Sequence, residues 1–390
     1  MDGQRTGWKM GMESSIRLGR IAGIELGVNW SWLVAAALFT WILAGGVFPA
    51  SNPNLGTGTY LAMAVVAVLV FFASLVAHEY GHALQARREG VAIDGITLWI
   101  FGGVAKLAGP FPSPEAELRI ALAGPAVSLV LGVLFLGLAV LLPLPAAADG
   151  VLHWLGNTNL VLLAFNMLPA LPLDGGRVLR SLLWRKRGDF RSATRTAALL
   201  GRGFGQGLIV LGVLAVIAGG AAGGIWLAFI GWFLLGAAEA EAQAAELGLA
   251  LRGMRVADAM VRDPVVVTPD LSLDEFLDRV FFDHRHTAYP VIDTGDGRVV
   301  RGIVSFRDAL RVPREQWPRK RVAEVMVPLE QAQVLDPSLP LEEALRTLAA
   351  SPLRRGLVMS NSRFEGLLSI TDVLRLLELL EGAPLARRHS

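Results

Sequence analysis

Three side chains that could hold and use a metal ion lie close together in the segment Ala77-His78-Glu79-Tyr80-Gly81-His82. Histidines at positions i and i+4 share one face of a helix, so both imidazoles can reach one Zn²⁺ at about 2.0–2.1 Å. Glu79, one residue along, can approach the open coordination position and act on a water there. The spacing predicts a zinc site with Glu79 as general base. A histidine pair that is merely hydrogen-bonded within a helix bundle is the alternative.

A zinc ion that keeps one coordination position open for water needs a third protein ligand besides the two histidines. Because the chain has no cysteine, that ligand must be His, Asp or Glu. Asp174 is the candidate, in the segment Asn166-Met167-Leu168-Pro169-Ala170-Leu171-Pro172-Leu173-Asp174-Gly175-Gly176-Arg177. Its prolines and glycines exclude a continuous helix, and non-helical backbone at membrane depth is tolerated where it lines a protein or water-filled cavity. The alternative role for Asp174 is the N-cap of a helix over 175–186.

The elements that must position these residues are apolar. Hydrophobic residues make up 53% of the 390, which excludes a purely soluble protein. Four windows lack Asp, Glu, Lys and Arg, at 26–78, 120–148, 150–173 and 203–238. A bilayer of about 30 Å needs about 20 helical residues, so these windows predict six spans. They are placed at about 29–48, 58–87, 117–143, 151–170, 196–218 and 224–247. His78 then lies nine residues, or roughly 13 Å, inside the helix end at Arg87, where ionisable side chains are usually functional.

Basic residues predict the orientation of these spans, since cytosolic loops are enriched in Lys and Arg. They cluster before the first span, after the second and between the fourth and fifth, whereas the opposite loops have none. Both termini are therefore expected in the cytosol, and the protein in the plasma membrane. The alternative for residues 1–48 is a cleaved signal peptide, but no clear cleavage site follows the apolar run.

At this point the chain resembles the site-2 protease family of intramembrane zinc metalloproteases. His78 to His82 is similar to the family's H-E-x-x-H motif, and Asn166 to Gly175 to its N-x-x-P-x-x-P-x-D-G motif. The resemblance covers about residues 15–248. It implies one zinc ion held by His78, His82 and Asp174, with Glu79 as general base and acid. The implied activity is hydrolysis of peptide bonds within or near transmembrane segments of regulatory membrane proteins.

Further segments resemble parts of the same family. Residues 96–105, β-prone with a break at Gly102-Gly103, resemble its membrane-dipping hairpin, whose edge could take a substrate as an added strand; an amphipathic loop is the alternative. Residues 123–128 resemble its A-G-P-x-x-N motif, but Ser128 stands where Asn is usual, which puts a substrate-positioning role there in doubt. Asn159 and Asn166, seven apart on one helix face, could bond a substrate carbonyl or join helices.

The C-terminal region is a repeat. The segments at 256–260 and 302–308 recur at 322–326 and 366–372, at offsets of 66 and 64 residues. Each unit predicts a strand, an amphipathic helix (273–282 and 341–350), two strands and a final helix. This resembles a tandem pair of cystathionine-β-synthase (CBS) domains, which implies an adenine-nucleotide site and allows a homodimer through the pair. The family's ribose-binding S/T-x-x-D falls on Ser305/Asp308 and Ser369/Asp372; the same spacing is also a helix capping box.

The expected protein is therefore a polytopic α-helical membrane protein followed by a soluble α/β tandem CBS domain. Its predicted parts are a cytosolic segment at 1–28, the protease domain at 29–248, CBS domains at 249–316 and 317–384, and a tail at 385–390. Residues 1–248 hold 16 Lys/Arg and 14 Asp/Glu, against 20 and 20 in 249–390, so the two regions face different solvents. The basic residues form no surface stripe, which argues against nucleic acid. A CBS-gated metal transporter or channel is the alternative function, although it needs no base beside two histidines.

Overall fold

The computed structural model describes residues 16–21, 23–91, 93–99, 102–107, 111–281, 286–293 and 299–382. The chain divides into two compact units, Met1–Glu246 and Leu247–Ser390. The predicted tail at 385–390 and most of the segment at 1–28 lie outside the described residues.

The first unit is built on long apolar helices, as the charge-free windows predict. A continuous helical stretch, Ser31–Ser51, consists of α1 (Ser31–Ile42), a π-helical turn (Leu43–Val47) and α2 (Phe48–Ser51). The helices that follow are α3 (Thr57–Arg88), α4 (Pro114–Leu141), α5 (Ala146–Asn166), α6 (Asp174–Arg187), α7 (Phe190–Ile217) and α8 (Ala221–Leu251).

Within the described residues, five of these stretches are long and apolar enough to cross a membrane: Ser31–Ser51, α3, α4, α7 and α8. The remaining predicted span, 151–170, corresponds to α5, which begins and ends about four residues earlier. This helix has 21 residues but carries His153, Asn157 and Asn159, so it is less apolar than the others.

Small residues set how closely the helices around the H-E-x-x-H segment approach. A Cβ atom at Gly81 of α3 would lie 2.8 Å from the carbonyl oxygen of Ala123 on α4. A Cβ at Gly132 of α4 would lie 2.8 Å from the Leu160 side chain of α5, and one at Gly156 of α5 would lie 2.5 Å from the Leu136 side chain of α4. Since real Cβ contacts are essentially never under 3.0 Å, these glycines allow α3, α4 and α5 to pack backbone against backbone.

A four-stranded sheet covers one side of α3. Its strands are β1 (Ile16–Ile21), β2 (Ile24–Val28), β3 (Ile93–Trp99) and β4 (Gly102–Leu107), in that spatial order. β3 and β4 form the predicted antiparallel hairpin, and β2 pairs with β3 in parallel. The strands β1 and β2 were not predicted. They form because Ile24 and Leu26 pack with Ile96 and with Ala83 of α3.

The second unit contains the predicted repeat. One half has the sheet β5 (Ala288–Asp293), β6 (Val299–Ser305), β7 (Val327–Pro328), and the other has β10-β9-β8, formed by Val334–Leu335 (β8), Arg355–Ser360 (β9) and Arg363–Ser369 (β10). The helices are α9 (Val256–Ala259), α10 (Leu273–Glu275), α11 (Phe306–Ala309), α12 (Val322–Val325), α13 (Leu341–Ala350) and α14 (Ile370–Gly382).

The two amphipathic helices of the repeat differ. The prediction of 341–350 is confirmed residue for residue by α13. The prediction of a helix over 273–282 is right only for α10, because the chain continues as a π-helical segment, Phe276–Phe281. Phe276 packs edge-on against Tyr289 with ring centroids 5.4 Å apart, so the widened turn accommodates an aromatic pair that α13 does not contain.

Candidate active site

The two histidines of the H-E-x-x-H segment lie in α3 on the face that turns away from solvent. His78 and His82 are both buried, and their Nε2 atoms are 3.2 Å apart. One helical turn separates the two side chains, which is why they point in the same direction. The predicted arrangement of the imidazoles on one helix face is confirmed.

Asp174 completes a cluster with these histidines. Its Oδ2 atom lies 3.2 Å from Nε2 of His78 and 3.3 Å from Nε2 of His82. Residues 167–173 are non-helical, as predicted, and they end in Leu173, the N-cap of α6. The alternative that Asp174 is this N-cap is therefore wrong. Asp174 is the first residue of α6, and a carboxylate there also benefits from the positive end of the helix dipole.

Both imidazoles are oriented by α4, which contacts their Nδ1 atoms. Nδ1 of His82 lies 2.7 Å from the carbonyl oxygen of Ile120, and Nδ1 of His78 lies 2.8 Å from Oγ of Ser128. A carbonyl oxygen only accepts, so His82 donates from Nδ1 and carries a lone pair on Nε2. At least one nitrogen lone pair and a carboxylate oxygen thus converge on the space between the three side chains.

This donor set fits zinc. Ligand atoms about 2.0–2.1 Å from a tetrahedral ion are separated by about 3.3–3.4 Å. The three separations in the cluster are 3.2, 3.2 and 3.3 Å. Two imidazoles and one carboxylate are also a donor set found in catalytic zinc sites that keep a fourth position open. Among the described residues, this is the group of His, Asp and Glu side chains that could hold a metal ion.

Glycines bring two other elements against this cluster. A Cβ at Gly103 of β4 would lie 2.5 Å from Cγ of Glu79, so the backbone of β4 passes directly over the half-buried Glu79 side chain. A Cβ at Gly124 of α4 would collide with Nε2 of both His78 and His82. The hairpin and α4 therefore approach the cluster as closely as they do only because these two positions lack side chains.

The other residues predicted to position a substrate are spread more widely. Gly102 begins β4, the edge strand that passes over Glu79. Asn159 is fully buried in α5, where its Nδ2 donates to the carbonyl of Leu155 in the same helix. Its Oδ1 has no hydrogen-bond partner among the described residues. Asn166 is the half-buried last residue of α5. A role of these residues in substrate binding stays a prediction.

A buried group of ion pairs around α6 was missed by the sequence analysis. Arg180 of α6 pairs with the fully buried Glu117 of α4, and its Nη1 lies 3.2 Å from Oε1 of Glu241 on α8. Arg177 pairs with the same oxygen of Glu241 at 3.3 Å. In the sequence, Arg177 and Arg180 belong to the basic cluster between the fourth and fifth predicted spans, which predicts orientation and not an ion pair. The available signal was that Asp174, Arg177 and Arg180 follow one another at three-residue intervals, which places all three along one side of α6.

In the second unit, the two predicted S/T-x-x-D motifs both cap helices. Ser305 Oγ accepts from the backbone N–H of Asp308 at 3.1 Å and donates to its carboxylate. Ser369 and Asp372 repeat this arrangement, and Asp372 also accepts from the backbone N–H of Ser369. The capping-box interpretation is thus confirmed in full at Ser369/Asp372, whereas at Ser305/Asp308 the described bonds show the serine capping the helix without the reciprocal bond to its own backbone N–H. The nucleotide-binding role stays a prediction. Nearby, burial lowers the pKa of the Arg355 guanidinium, which bonds Oγ1 of Thr287.

Comparison with known proteins agrees with this architecture. The model of peptidase family M50 matches residues 66–148 and 144–211, and the CBS domain model matches 256–315 and 322–379. A Mycobacterium tuberculosis protein named zinc metalloprotease Rip3 is 40% identical over 372 residues, covering 94% of each chain. Zinc metalloprotease MJ0392 of Methanocaldococcus jannaschii is 31% identical, covering 95% of this chain and 98% of its own.

A solved structure, the site-2 protease from Methanocaldococcus jannaschii, matches with a TM-score of 0.42 and 31% identity, covering 58% of this chain and 94% of that one. The alignments to metalloproteases over nearly the whole chain decide for an enzyme over a CBS-gated transporter or channel. The chain therefore belongs to peptidase family M50, the site-2 protease family of zinc metalloproteases, and carries a pair of CBS domains after its protease region.

Proposed function

We propose that the protein is an intramembrane zinc endopeptidase, which hydrolyses peptide bonds within or near transmembrane segments of membrane-bound regulatory proteins. His78, His82 and Asp174 are its zinc ligands, and Glu79 is its general base and acid. The observation that carries the proposal is the convergence of these three ligand atoms, 3.2–3.3 Å apart, inside a bundle of helices apolar enough to cross a membrane.

The zinc ligands and Glu79 have separate roles in the proposed reaction. A zinc ion held by His78, His82 and Asp174 would supply a Lewis acid that polarises the scissile carbonyl and acidifies the attacking water. The Glu79 carboxylate takes a proton from the attacking water and later delivers it to the nitrogen of the leaving peptide. The carbonyl carbon–nitrogen bond breaks as the new carbon–oxygen bond forms, which yields one carboxylic acid and one amine. The close passage of β4 over Glu79 leaves the backbone of this edge strand available to hold an extended substrate segment beside the base.

The test is zinc content and cleavage of single-pass membrane proteins by the full chain in detergent. Glu79→Gln removes the base and keeps both imidazoles, so we expect it to retain zinc and lose cleavage. His78→Ala and Asp174→Ala should lose zinc as well. Matched controls are Glu239→Gln on α8 and the exposed His153→Ala on α5, which should change neither. Near wild-type turnover by Glu79→Gln would refute the proposed mechanism.

We also propose that both termini and the CBS pair are cytosolic. The support is the exposed basic segment Arg185–Arg187 and the absence of Lys and Arg from 49–57. The chain has no cysteine, so single cysteines can be placed without background. In intact cells, an impermeant thiol reagent should label Ser51→Cys and spare Lys186→Cys until the membrane is permeabilised. The reverse labelling would overturn this orientation.

Adenine-nucleotide binding to the CBS pair, as a control of the protease, is the least direct part of the proposal. It rests on the CBS family match and on the two helix-capping aspartates, Asp308 and Asp372. If a carboxylate of these residues also binds ribose, its loss should weaken nucleotide binding about ten- to hundredfold, or about 1.5–3 kcal/mol.

If these aspartates only cap helices, Asp308→Ala and Asp372→Ala should instead lower the free energy of unfolding by about 0.5–2 kcal/mol in the absence of any nucleotide. Calorimetric titration of the full chain with ATP, ADP and AMP, together with melts in their absence, separates the two roles. No heat and no melting shift with any of the three would end the nucleotide proposal. Dimerisation through the CBS pair stays a prediction, to be checked by the mass of the purified chain.

A further inference from the structure

Ser128 is the residue whose role the sequence analysis left in doubt, and it lies at the proposed metal centre. It is fully buried in α4, with Oγ 2.8 Å from Nδ1 of His78. Ser128 thus contacts one nitrogen of the His78 ring and Asp174 contacts the other. Ile120, Gly124 and Ser128 follow one another at four-residue intervals, so a single stripe of α4 faces both histidines.

The proton on His78 decides what this contact does. A neutral imidazole carries one N–H, on either Nδ1 or Nε2. Nε2 of His78 points at Oδ2 of Asp174 and at Nε2 of His82, each 3.2 Å away. A proton on Nε2 would therefore occupy the space where a metal ion must bind. With the proton on Nδ1, His78 donates to Ser128 Oγ, and its Nε2 lone pair is available to the metal.

We infer that Ser128 is a positioning residue for the zinc centre: it accepts a hydrogen bond from Nδ1–H of His78 and so holds the metal-binding tautomer and the ring orientation. The inference rests on the proposed function, since it assumes zinc at His78, His82 and Asp174. His82 receives the same support from the carbonyl of Ile120, which side-chain substitution does not remove. Of the two imidazoles, His78 is therefore the one whose support a substitution can test.

The experiment measures zinc affinity of the full chain in detergent, by competition with a chelator of known Kd. Ser128→Ala removes the acceptor at little change in volume, and we expect zinc binding about 10- to 100-fold weaker. Ser128→Thr keeps the hydroxyl and should restore wild-type affinity. The matched control is Ser74→Ala, a buried serine of α3 whose Oγ donates to the carbonyl of Val70 in its own helix, and it should leave the affinity unchanged. Because Ser128→Ala also leaves the buried Nδ1–H of His78 without its acceptor, we expect the metal-free chain to melt lower than wild type, and Ser128→Thr to restore the melting temperature together with the affinity.

The outcomes separate the claims. Wild-type zinc affinity in Ser128→Ala would overturn this inference and leave the proposed zinc ligands standing. Equal losses of zinc affinity in Ser128→Ala and Ser128→Thr would show a packing role and also overturn it. A wild-type chain that binds no zinc would overturn the proposed function, and the inference with it.

Discussion

Replacing Gly124 by alanine tests whether the close approach of α4 fixes the metal centre. The added Cβ would lie 2.6 Å from Nε2 of His78, and nearer still to Nε2 of His82. Ordinary van der Waals contact begins at 3.4 Å, so a movement of the His78 imidazole or of α4 by 0.8 Å is needed to restore it. Both atoms that the methyl group meets are proposed zinc ligands, so the displacement cannot be absorbed by a flexible side-chain end.

The expected effect follows from the tolerance of a zinc site. Metal–ligand distances of a working site stay within about ±0.2 Å of their ordinary values. A displacement of 0.8 Å is four times that tolerance, and a misplacement of about 1 Å in an active site costs about a hundredfold in rate. We therefore expect Gly124→Ala to lose most of its zinc at a chelator concentration that leaves wild type loaded, and to cleave at least about a hundredfold more slowly.

Gly137 provides the matched control, because it lies in the same helix and a Cβ there would meet nothing within 4 Å. Gly137→Ala makes the same chemical change and should leave zinc content and turnover at wild-type values. Alanine favours a helix over glycine by roughly 0.5–1 kcal/mol, so neither substitution should unfold α4. Full zinc occupancy and normal cleavage in Gly124→Ala would refute the idea that contact with α4 sets the positions of the two imidazoles.

Two further predictions concern charged groups. Arg180→Met leaves the fully buried Glu117 unpaired and should lower the free energy of unfolding by about 3–5 kcal/mol. The control is Arg185→Met, which breaks an exposed ion pair and should lower it by at most about 1 kcal/mol. Equal losses in chemical unfolding would contradict this prediction. A hydrogen bond from Lys320 lowers the pKa of Glu324 below its usual 4.5, so its stabilisation is present above that pH and lost as the pH falls. Glu324→Gln should thus melt lower than wild type near about pH 7 in calorimetry, and the difference should shrink as the pH falls below 4.5.

The clustering of the three proposed ligands could be predicted from the sequence because its signal is local. Two histidines four residues apart must share a helix face, and a Pro- and Gly-rich segment around Asp174 must leave the helix. The apolar windows predicted the long helices for a similar reason, since charge is excluded over about 20 consecutive residues. None of these steps required knowledge of which helix packs against which.

The supporting residues had no such signal. Ser128 and Ile120 belong to α4, and their partners His78 and His82 lie in α3, 50 and 38 positions earlier in the chain. Nothing in the spacing of α4 shows which of its faces meets α3. Glycine at 124 was noted only as part of a motif, although its role is defined by the atoms that an added Cβ would strike.

The strands β1 and β2 could not be predicted from the sequence for a different reason. Each has only five or six residues, and the parallel pairing of β2 with β3 joins positions about 70 apart. Short strands gain little from their own sequence pattern, because their stability comes from burial against a neighbour. Here that neighbour is α3, whose Ala83 packs against Ile24 and Leu26. The N-terminal segment therefore supports the same helix that carries both histidines.

The partners of the buried polar groups explain why this chemistry can exist in an apolar bundle. An unpaired polar group in lipid costs several kcal/mol, so each must be satisfied inside the protein. The histidines bond to α4, Arg180 bonds to Glu117, and in the non-helical segment the N–H of Leu171 bonds to the carbonyl of Ala197 on α7. The bonds that satisfy these groups are thus the bonds that fix the ligand positions. Glu79 lies half-buried beneath β4 instead, and the proposed mechanism requires that it meet water and substrate.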